Sequence, residues 1–306
     1  MEYADRRFAT AESSGSGRPS GSAAGLGADL PAGGTTKRNV LGVLVDAIDE
    51  ETAAEWALAA ARERRPFILT ALAVHGVMTG VVDPVHKARL NSFDAVTADG
   101  QPVRWALNLL HGAGLRDWVS GPELVLRILP RLAQENLPIY LYGSTPQTLD
   151  ALTASLTRLV PTLTIAGAEP SKFRPARPGE VVEIAERITR SGARLVLVGL
   201  GCPRQEIFVH ALRPLLDMPL LAVGAAFDFH AARVRRAPAW MRRHGLSWAW
   251  RLALDPRRLW RRYLLLNPAY LLALAAQKMR LWKPDVGPAH HWDDTHQKQR
   301  STAVAV

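Results

Sequence analysis

The sequence is most informative first in what it lacks. It holds one cysteine, Cys202, so no internal disulfide and no cysteine-built metal framework can form, which fits a reducing cytosol. No uninterrupted apolar run reaches the roughly 18 residues that a membrane-crossing helix needs. The nearest candidate, Leu264 to Ala276, is shorter and is broken by Asn267 and Pro268. Gly143-Ser144 is not followed by Gly-Lys-Ser/Thr, and neither Gly-x-Gly-x-x-Gly nor His-Glu-x-x-His occurs, which excludes the common nucleotide and zinc signatures. Residues 1–37 have almost no large apolar side chains and no basic-flanked apolar core. They are expected to be disordered and not to act as a signal peptide. Residues 284–306 are polar and are expected to be loose.

Acids are nearly missing from one stretch. From Arg233 to Lys283 there are thirteen Lys or Arg and one acid, Asp255, in a chain whose formal net charge is +10. Five of the nine tryptophans also fall there: Trp240, Trp248, Trp250, Trp260 and Trp282. Such a surface should meet an anionic, partly apolar partner, either nucleic acid or a membrane face. No helix-turn-helix, RRM or zinc pattern accompanies it, so nucleic acid is the weaker partner.

What remains is an ordinary globular composition, 48% hydrophobic and 22% charged, sufficient to bury a core. Apolar runs at 40–45, 67–72, 95–97, 139–142, 163–166, 195–198 and 220–223 read as strands. Helical patterns at 50–64, 84–90, 101–110, 122–134, 146–159, 179–189 and 203–212 separate most of them. Wholly apolar strands alternating with helices predict an α/β fold, with a mostly parallel, Rossmann-like sheet covered by helices on both faces. After Val223 only helices are expected, as a basic C-terminal appendage. The expected division is a catalytic domain over 38–232, a docking segment over 233–283 and a tail.

Open parallel sheets bind ligands beyond the carboxyl ends of their strands. Three polar or glycine-bearing segments should converge there: Thr97-Ala98-Asp99-Gly100, Gly143-Ser144, and Gly199 to Glu206. Asp99, taken alone, reads most simply as an N-cap for the Gln101 helix. Its other reading is a general base held at the ligand edge. Gly143-Ser144 opens a helix where free amides attract phosphate. Pro203 suits a first helical turn, which would project Gln205 and Glu206 near the helix start. Cys202 reads as structural, and His75 as a core or turn residue.

Several linked motifs resemble the WecB/TagA/CpsF glycosyltransferases. They are Ala98-Asp99-Gly100 with Arg116 and Ser120-Gly121-Pro122-Glu123-Leu124, then Leu197 to Glu206, then Val223 to Phe229. Arg236 to Met241, Gly245 to Trp248 and Asp255 to Tyr263 continue the likeness, which spans Val40 to Leu281 in order. The resemblance implies inverting transfer of a sugar from a nucleotide donor, usually UDP-linked, to a polyprenyl-pyrophosphate-linked sugar at the cytoplasmic face of the membrane. It implies no bound metal and no cofactor. Asp99 would be the base, with Thr70 beside it. Arg116 would offset charge on the leaving diphosphate. Gly143, Ser144, Gln205, Glu206 and Asp228 would line the nucleotide site. The family often carries Thr-x-Asn where this chain has Thr70-Ala71-Leu72, so a contact is missing that Val74-His75-Gly76 could take over. A catalytically inactive member regulating a partner enzyme is the alternative.

Asp255-Pro256 is a helix start. Wound as an α-helix, Arg257, Arg258, Arg261 and Arg262 share one face, opposite Leu259, Trp260, Tyr263 and Leu264. With Arg236, these residues are expected to hold the protein peripherally on the anionic inner face of the cell membrane, beside its lipid-linked acceptor. The bland reading is a packed helix with solvated arginines. A homo-oligomer is compatible with the sequence.

Overall fold

The computed structural model describes residues 36–235, 237–238, 240–241 and 244–287. Eight strands form one sheet in the order β1-β2-β4-β3-β8-β7-β5-β6, parallel throughout except for the β1–β2 hairpin. The strands are β1 Lys37–Val40, β2 Val43–Asp46, β3 Phe67–Leu72, β4 Ala95–Ala98, β5 Ile139–Gly143, β6 Ile165–Glu169, β7 Leu195–Gly199 and β8 Pro219–Ala222. The helices α1 Glu50–Glu63, α5 Gly121–Gln134, α6 Pro146–Leu159 and α9 Ala226–His230 cover one face. On the other lie α2 Val74–Val82, α3 Pro84–Asn91, α4 Gln101–His111, α7 Pro178–Arg190, α8 Arg204–Leu212 and α12 Leu266–Lys278. Two further helices, α10 Ser247–Leu254 and α11 Pro256–Trp260, precede α12. The α/β sheet with helices on both faces is as the apolar pattern predicts.

Three local differences have physical causes. The apolar run 40–45 is a hairpin, because Leu41 and Gly42 take positive φ (55° and 91°) as the two residues of a tight turn. The 163–166 strand runs instead from Ile165 to Glu169, where its half-exposed edge position needs no apolar signal. The helix at 74–82 carries two glycines and several β-branched residues, a poor local signal. Packing makes it: a Cβ on Gly76 would lie 2.3 Å from the Leu72 side chain, and one on Gly80 2.8 Å from Val43. Glycine lets this helix lie directly on the sheet.

The basic C-terminal stretch is helical after β8, as expected, and its last helix packs onto the sheet. Tyr270 and Leu274 of α12 are buried in the same cluster as Val96, Val103 and Leu220, each contributing about 1.5–3 kcal/mol of burial. Gln277 accepts from the Leu41 amide (2.9 Å) and donates to the Asn39 carbonyl (3.0 Å). The core of the sheet therefore extends past residue 232 to include α12. Of the ends expected to be loose, residues 1–35 and 288–306 lie outside the described residues, but Lys37 opens β1. The carbonyls of Pro284, Asp285 and Val286 accept from Asn39, Lys87 and Asn91 at 2.9, 2.7 and 2.8 Å. The tail is anchored at least to Val286 by polar side chains whose pairing no apolar pattern reveals.

Candidate active site

A cleft of about 1180 Å³ opens over the carboxyl ends of β2, β4, β3 and β8. Asp99 stands on its floor, where the β4 backbone leaves the sheet. The Asp99 amide still donates to the Leu72 carbonyl at 3.1 Å, so the residue is positioned by the sheet itself. Gly100, with φ of 87°, caps α4, and no side-chain cap bond forms there. The capping reading of Asp99 is thereby set aside. Burial raises the Asp99 carboxyl to a pKa of about 6, against a downward pull from Arg251 and then Arg262. A carboxylate that exchanges its proton near neutrality suits general-base work.

Arg116 reaches the cleft on the loop after α4. Asn108 bonds both the amide and the carbonyl of Leu115 at 2.9 Å, and Arg104 donates to the Arg116 carbonyl. Gly121 ends this loop so close to β8 that a Cβ there would lie 2.5 Å from the Val223 carbonyl. The loop is held to α4 at its start and to the sheet at its end, where the Val119 amide donates to the Ala98 carbonyl at 2.9 Å. Arg235, Arg251 and Arg262 line the same cleft, with Trp118, Phe229, Trp248 and Tyr263 among them. Arg251 lies over the Phe229 ring, 5.6 Å from its centroid. Arg127 also lines it but is paired with Glu50 and Glu51 at 2.6 Å each. The cleft thus sets the partly buried Asp99 among several guanidinium groups and aromatic faces, with Asp49, Asp117 and Glu123 also on its walls, a set suited to a sugar-bearing ligand with anionic groups.

His75 lines the cleft from the first turn of α2. Its Nδ1 is buried without a hydrogen-bond partner, and burial together with Arg262 lowers its pKa. It is therefore a neutral cleft residue rather than a core one.

Other expected site residues are not brought there. Thr70 is fully buried in β3, and its hydroxyl donates to Glu206 Oε1 at 3.0 Å. Gln205 Nε2 donates to the same oxygen at 2.9 Å, and Gln205 Oε1 accepts from the Gly201 amide at 3.2 Å. These bonds turn Gln205 and Glu206 into the protein instead of out at the helix start. Burial raises the carboxyl pKa of Glu206 and, with Glu206 beside it, the thiol pKa of Cys202. Gly143 is glycine because its φ is 122° and a Cβ would sit 2.5 Å from the Gly199 carbonyl. Ser144 donates its amide to that carbonyl at 3.0 Å and accepts from Ser171 at 3.0 Å. Asp228 is half-buried, and its carbonyl accepts from the Arg233 amide at 2.9 Å. None of these residues lines the cleft. The three expected segments converge only in part: Asp99-Gly100 lines the cleft with Val223 and Ala225, while the β5 and β7 ends pair with each other outside it.

The expected arginine face is also redistributed. Residues Arg261–Leu265 form a π-helical turn between α11 and α12, and its extra residue per turn shifts the helical phase. Arg262 and Tyr263 consequently point into the cleft, while Trp260, Leu264 and Leu265 are exposed alongside Arg257 and Arg261. Arg236 and the side chain of Arg258 lie outside the described residues. The sequence reading missed Arg251 and Arg262 as neighbours of Asp99. The only signal was Arg262's place in the Asp255 to Tyr263 motif; Arg251 falls between two motifs.

Comparison with known proteins follows the same lines. The model of the glycosyl transferase WecG/TagA/CpsF family matches residues 38–284. The chain is 30% identical over 219 residues to the N-acetylglucosaminyldiphosphoundecaprenol N-acetyl-beta-D-mannosaminyltransferase of Bacillus spizizenii (strain W23), covering 71% of this chain and 82% of that one. A protein of the same name from Bacillus subtilis (strain 168) is 28% identical over 190 residues, covering 62% and 71% respectively.

Proposed function

This chain belongs to the WecG/TagA/CpsF glycosyltransferase family, and on that premise we propose that it moves a sugar from a UDP-linked donor to a polyprenyl-pyrophosphate-linked saccharide. The observation that carries the reading is the Asp99 carboxyl, buried to a pKa of about 6 on the floor of an arginine-lined cleft. Both Bacillus relatives are named for transfer of N-acetylmannosamine onto an N-acetylglucosaminyl-diphospho-undecaprenol, which supports an acceptor of that class.

In the proposed reaction Asp99 takes the proton from the acceptor hydroxyl as that oxygen attacks the donor anomeric carbon. The bond from that carbon to the β-phosphate oxygen breaks, and the diphosphate leaves with the bonding pair. Attack from the face opposite the leaving group inverts the anomeric centre. Arg116, Arg251 and Arg262 meet the developing negative charge, a task that fixed cations in a low-dielectric site perform without a metal ion. Thr70, Gln205 and Glu206 brace the floor from beneath, and Gly143, Ser144 and Asp228 shape its surroundings.

In the segment that supplies Arg262, Tyr263 and Asn267 to the cleft, Trp260, Leu264, Leu265, Leu271 and Leu272 are exposed, as are Arg257 and Arg261. Among the described residues no helix is long and apolar enough to cross a membrane. Such a surface suits peripheral docking on the inner leaflet, which would bring a lipid-bound acceptor to the cleft mouth. The direct test supplies the purified protein with a panel of UDP-sugars and N-acetylglucosaminyl-diphospho-lipid, without Mg²⁺ or Mn²⁺. A disaccharide lipid with inverted anomeric configuration supports the reading. Transfer only on addition of the cations, or retention of configuration, contradicts it.

A further inference from the structure

Behind the sheet's ligand edge, outside the cleft, three side chains from different places in the sequence meet. A ring nitrogen of His86, the sulfur of Cys202 and a carboxylate oxygen of Glu206 lie within 4.8 Å of one another. His86 comes from α3, Glu206 from the first turn of α8, and Cys202 from the turn just before it. None of the three lines the cleft.

Two of these residues are buried with a polar atom left without a partner. His86 is 1% exposed and Glu206 0%, yet His86 Nε2 and Glu206 Oε2 lack a hydrogen-bond partner, the Cys202 thiol being the one donor that interacts with the carboxylate from within the cluster. A buried donor or acceptor left without a partner is costly, so two together in one cluster call for an occupant. The other ends of both side chains are fixed. Thr70 and Gln205 both donate to Glu206 Oε1, which leaves Oε2 for the cluster. The bond from the Gly201 amide to Gln205 Oε1 holds the turn that carries Cys202. Such outer contacts orient metal ligands.

We propose that His86, Cys202 and Glu206 form a binding site for a borderline-soft divalent metal ion of the zinc class. Imidazole, thiolate and carboxylate together are a donor set such ions accept, with water or a further group completing four-coordination. The ligand atoms of a tetrahedral zinc ion stand about 3.3–3.8 Å apart, so loading contracts the cluster by roughly 1 Å. Bonds form from the metal to sulfur, nitrogen and oxygen, and the thiol proton and any carboxyl proton leave to solvent. The bound ion would clamp α3 to the β7–α8 turn. This inference does not rest on the proposed transfer reaction.

One contact opposes loading and sharpens the test. Arg89 lies with its guanidinium 3.1 Å from His86 Nδ1, where it donates to that nitrogen and leaves the ring proton on Nε2. A metal on Nε2 moves that proton to Nδ1, so Arg89 must swing away. Arg89→Ala should therefore tighten metal binding, by about tenfold for one competing hydrogen bond.

The test uses the full, untagged chain, stripped with chelator and titrated with zinc and, separately, cobalt(II). The expected result is one tightly bound ion per chain, a raised melting temperature, and a sulfur-to-cobalt charge-transfer band. Cys202→Ser should remove the band and weaken zinc binding on the order of 100-fold or more. It retains His290, His291 and His296 near the C-terminus, so the difference reports the buried trio alone. Wild-type protein that takes up no more zinc than Cys202→Ser, or cobalt bound without the sulfur band, overturns the proposal in favour of a buried water bridging the two orphaned atoms. The wild-type cobalt spectrum decides the matter even if a variant fails to fold.

Discussion

Tyr270, fully buried on the last helix, donates a hydrogen bond of 3.2 Å to the carbonyl of Pro102, in the turn that follows Asp99. The C-terminal segment thus touches the first turn of α4, the helix that follows the candidate base. Lys278 reinforces the join from the far end of α12 with a 2.6 Å bond to the Leu109 carbonyl.

Removing that segment should unfold the protein rather than merely release it from membranes. Tyr270→Ala is expected to cost about 3–5 kcal/mol and Tyr270→Phe about 1 kcal/mol. Thermal or urea melts measure both. A chain ending before residue 233 that still melts cooperatively at the full-length temperature would contradict this account of the core.

The pH dependence of transfer should carry the Asp99 titration. A base must be unprotonated, so kcat/KM is expected to fall as pH drops through about 6. Arg251 is the larger of the two charges holding that value down. Arg251→Gln should shift the acid limb to higher pH, beyond lowering the rate. A limb that stays in place after the substitution would separate Asp99 from the titration.

Stability should respond in the opposite sense. The folded pKa of Asp99, about 6, lies above the unfolded value of about 3.9. Its stability contribution is therefore fully present below about pH 4 and is lost as pH rises through 6. Asp99→Asn does not titrate. It is expected to be more stable than wild type at pH 8 by up to about 3 kcal/mol, and by little at pH 4. Urea midpoints at the two pH values measure the difference; equal gaps would mean that burial does not strain the carboxylate.

Docking on anionic lipid should need both the charged and the apolar parts of the exposed surface. Arg257→Glu with Arg261→Glu should weaken co-sedimentation with anionic vesicles by on the order of 1 kcal/mol per charge or more, and added salt should do likewise. Leu264→Ser with Leu272→Ser should weaken it in a way salt does not reproduce. Vesicle binding that survives all four changes would move the docking surface elsewhere.

The sheet was legible because strands buried on both faces show as apolar runs, and Asp99 because it follows one of them directly. What escaped depends on packing in three dimensions. The helix over Val74–Val82 exists because Gly76 and Gly80 fit against Leu72 and Val43, against its local preference. Gln205 and Glu206 stand at a helix start, as expected, but polar bonds to Thr70 and Gly201 pull them inward. Arg262 escaped for a subtler reason. A regular wheel places it with Arg261, and the π turn rotates it toward Asp99.

The central claim is that Asp99 removes the acceptor proton, and Asp99→Asn tests it most directly because the side chain keeps its shape. Transfer to the lipid-linked acceptor at pH 8 is compared with equilibrium binding of the nucleotide-sugar donor to the same protein. The account predicts a fall in kcat of about 10²–10⁴-fold with donor affinity essentially retained. Turnover within a few-fold of wild type would contradict it.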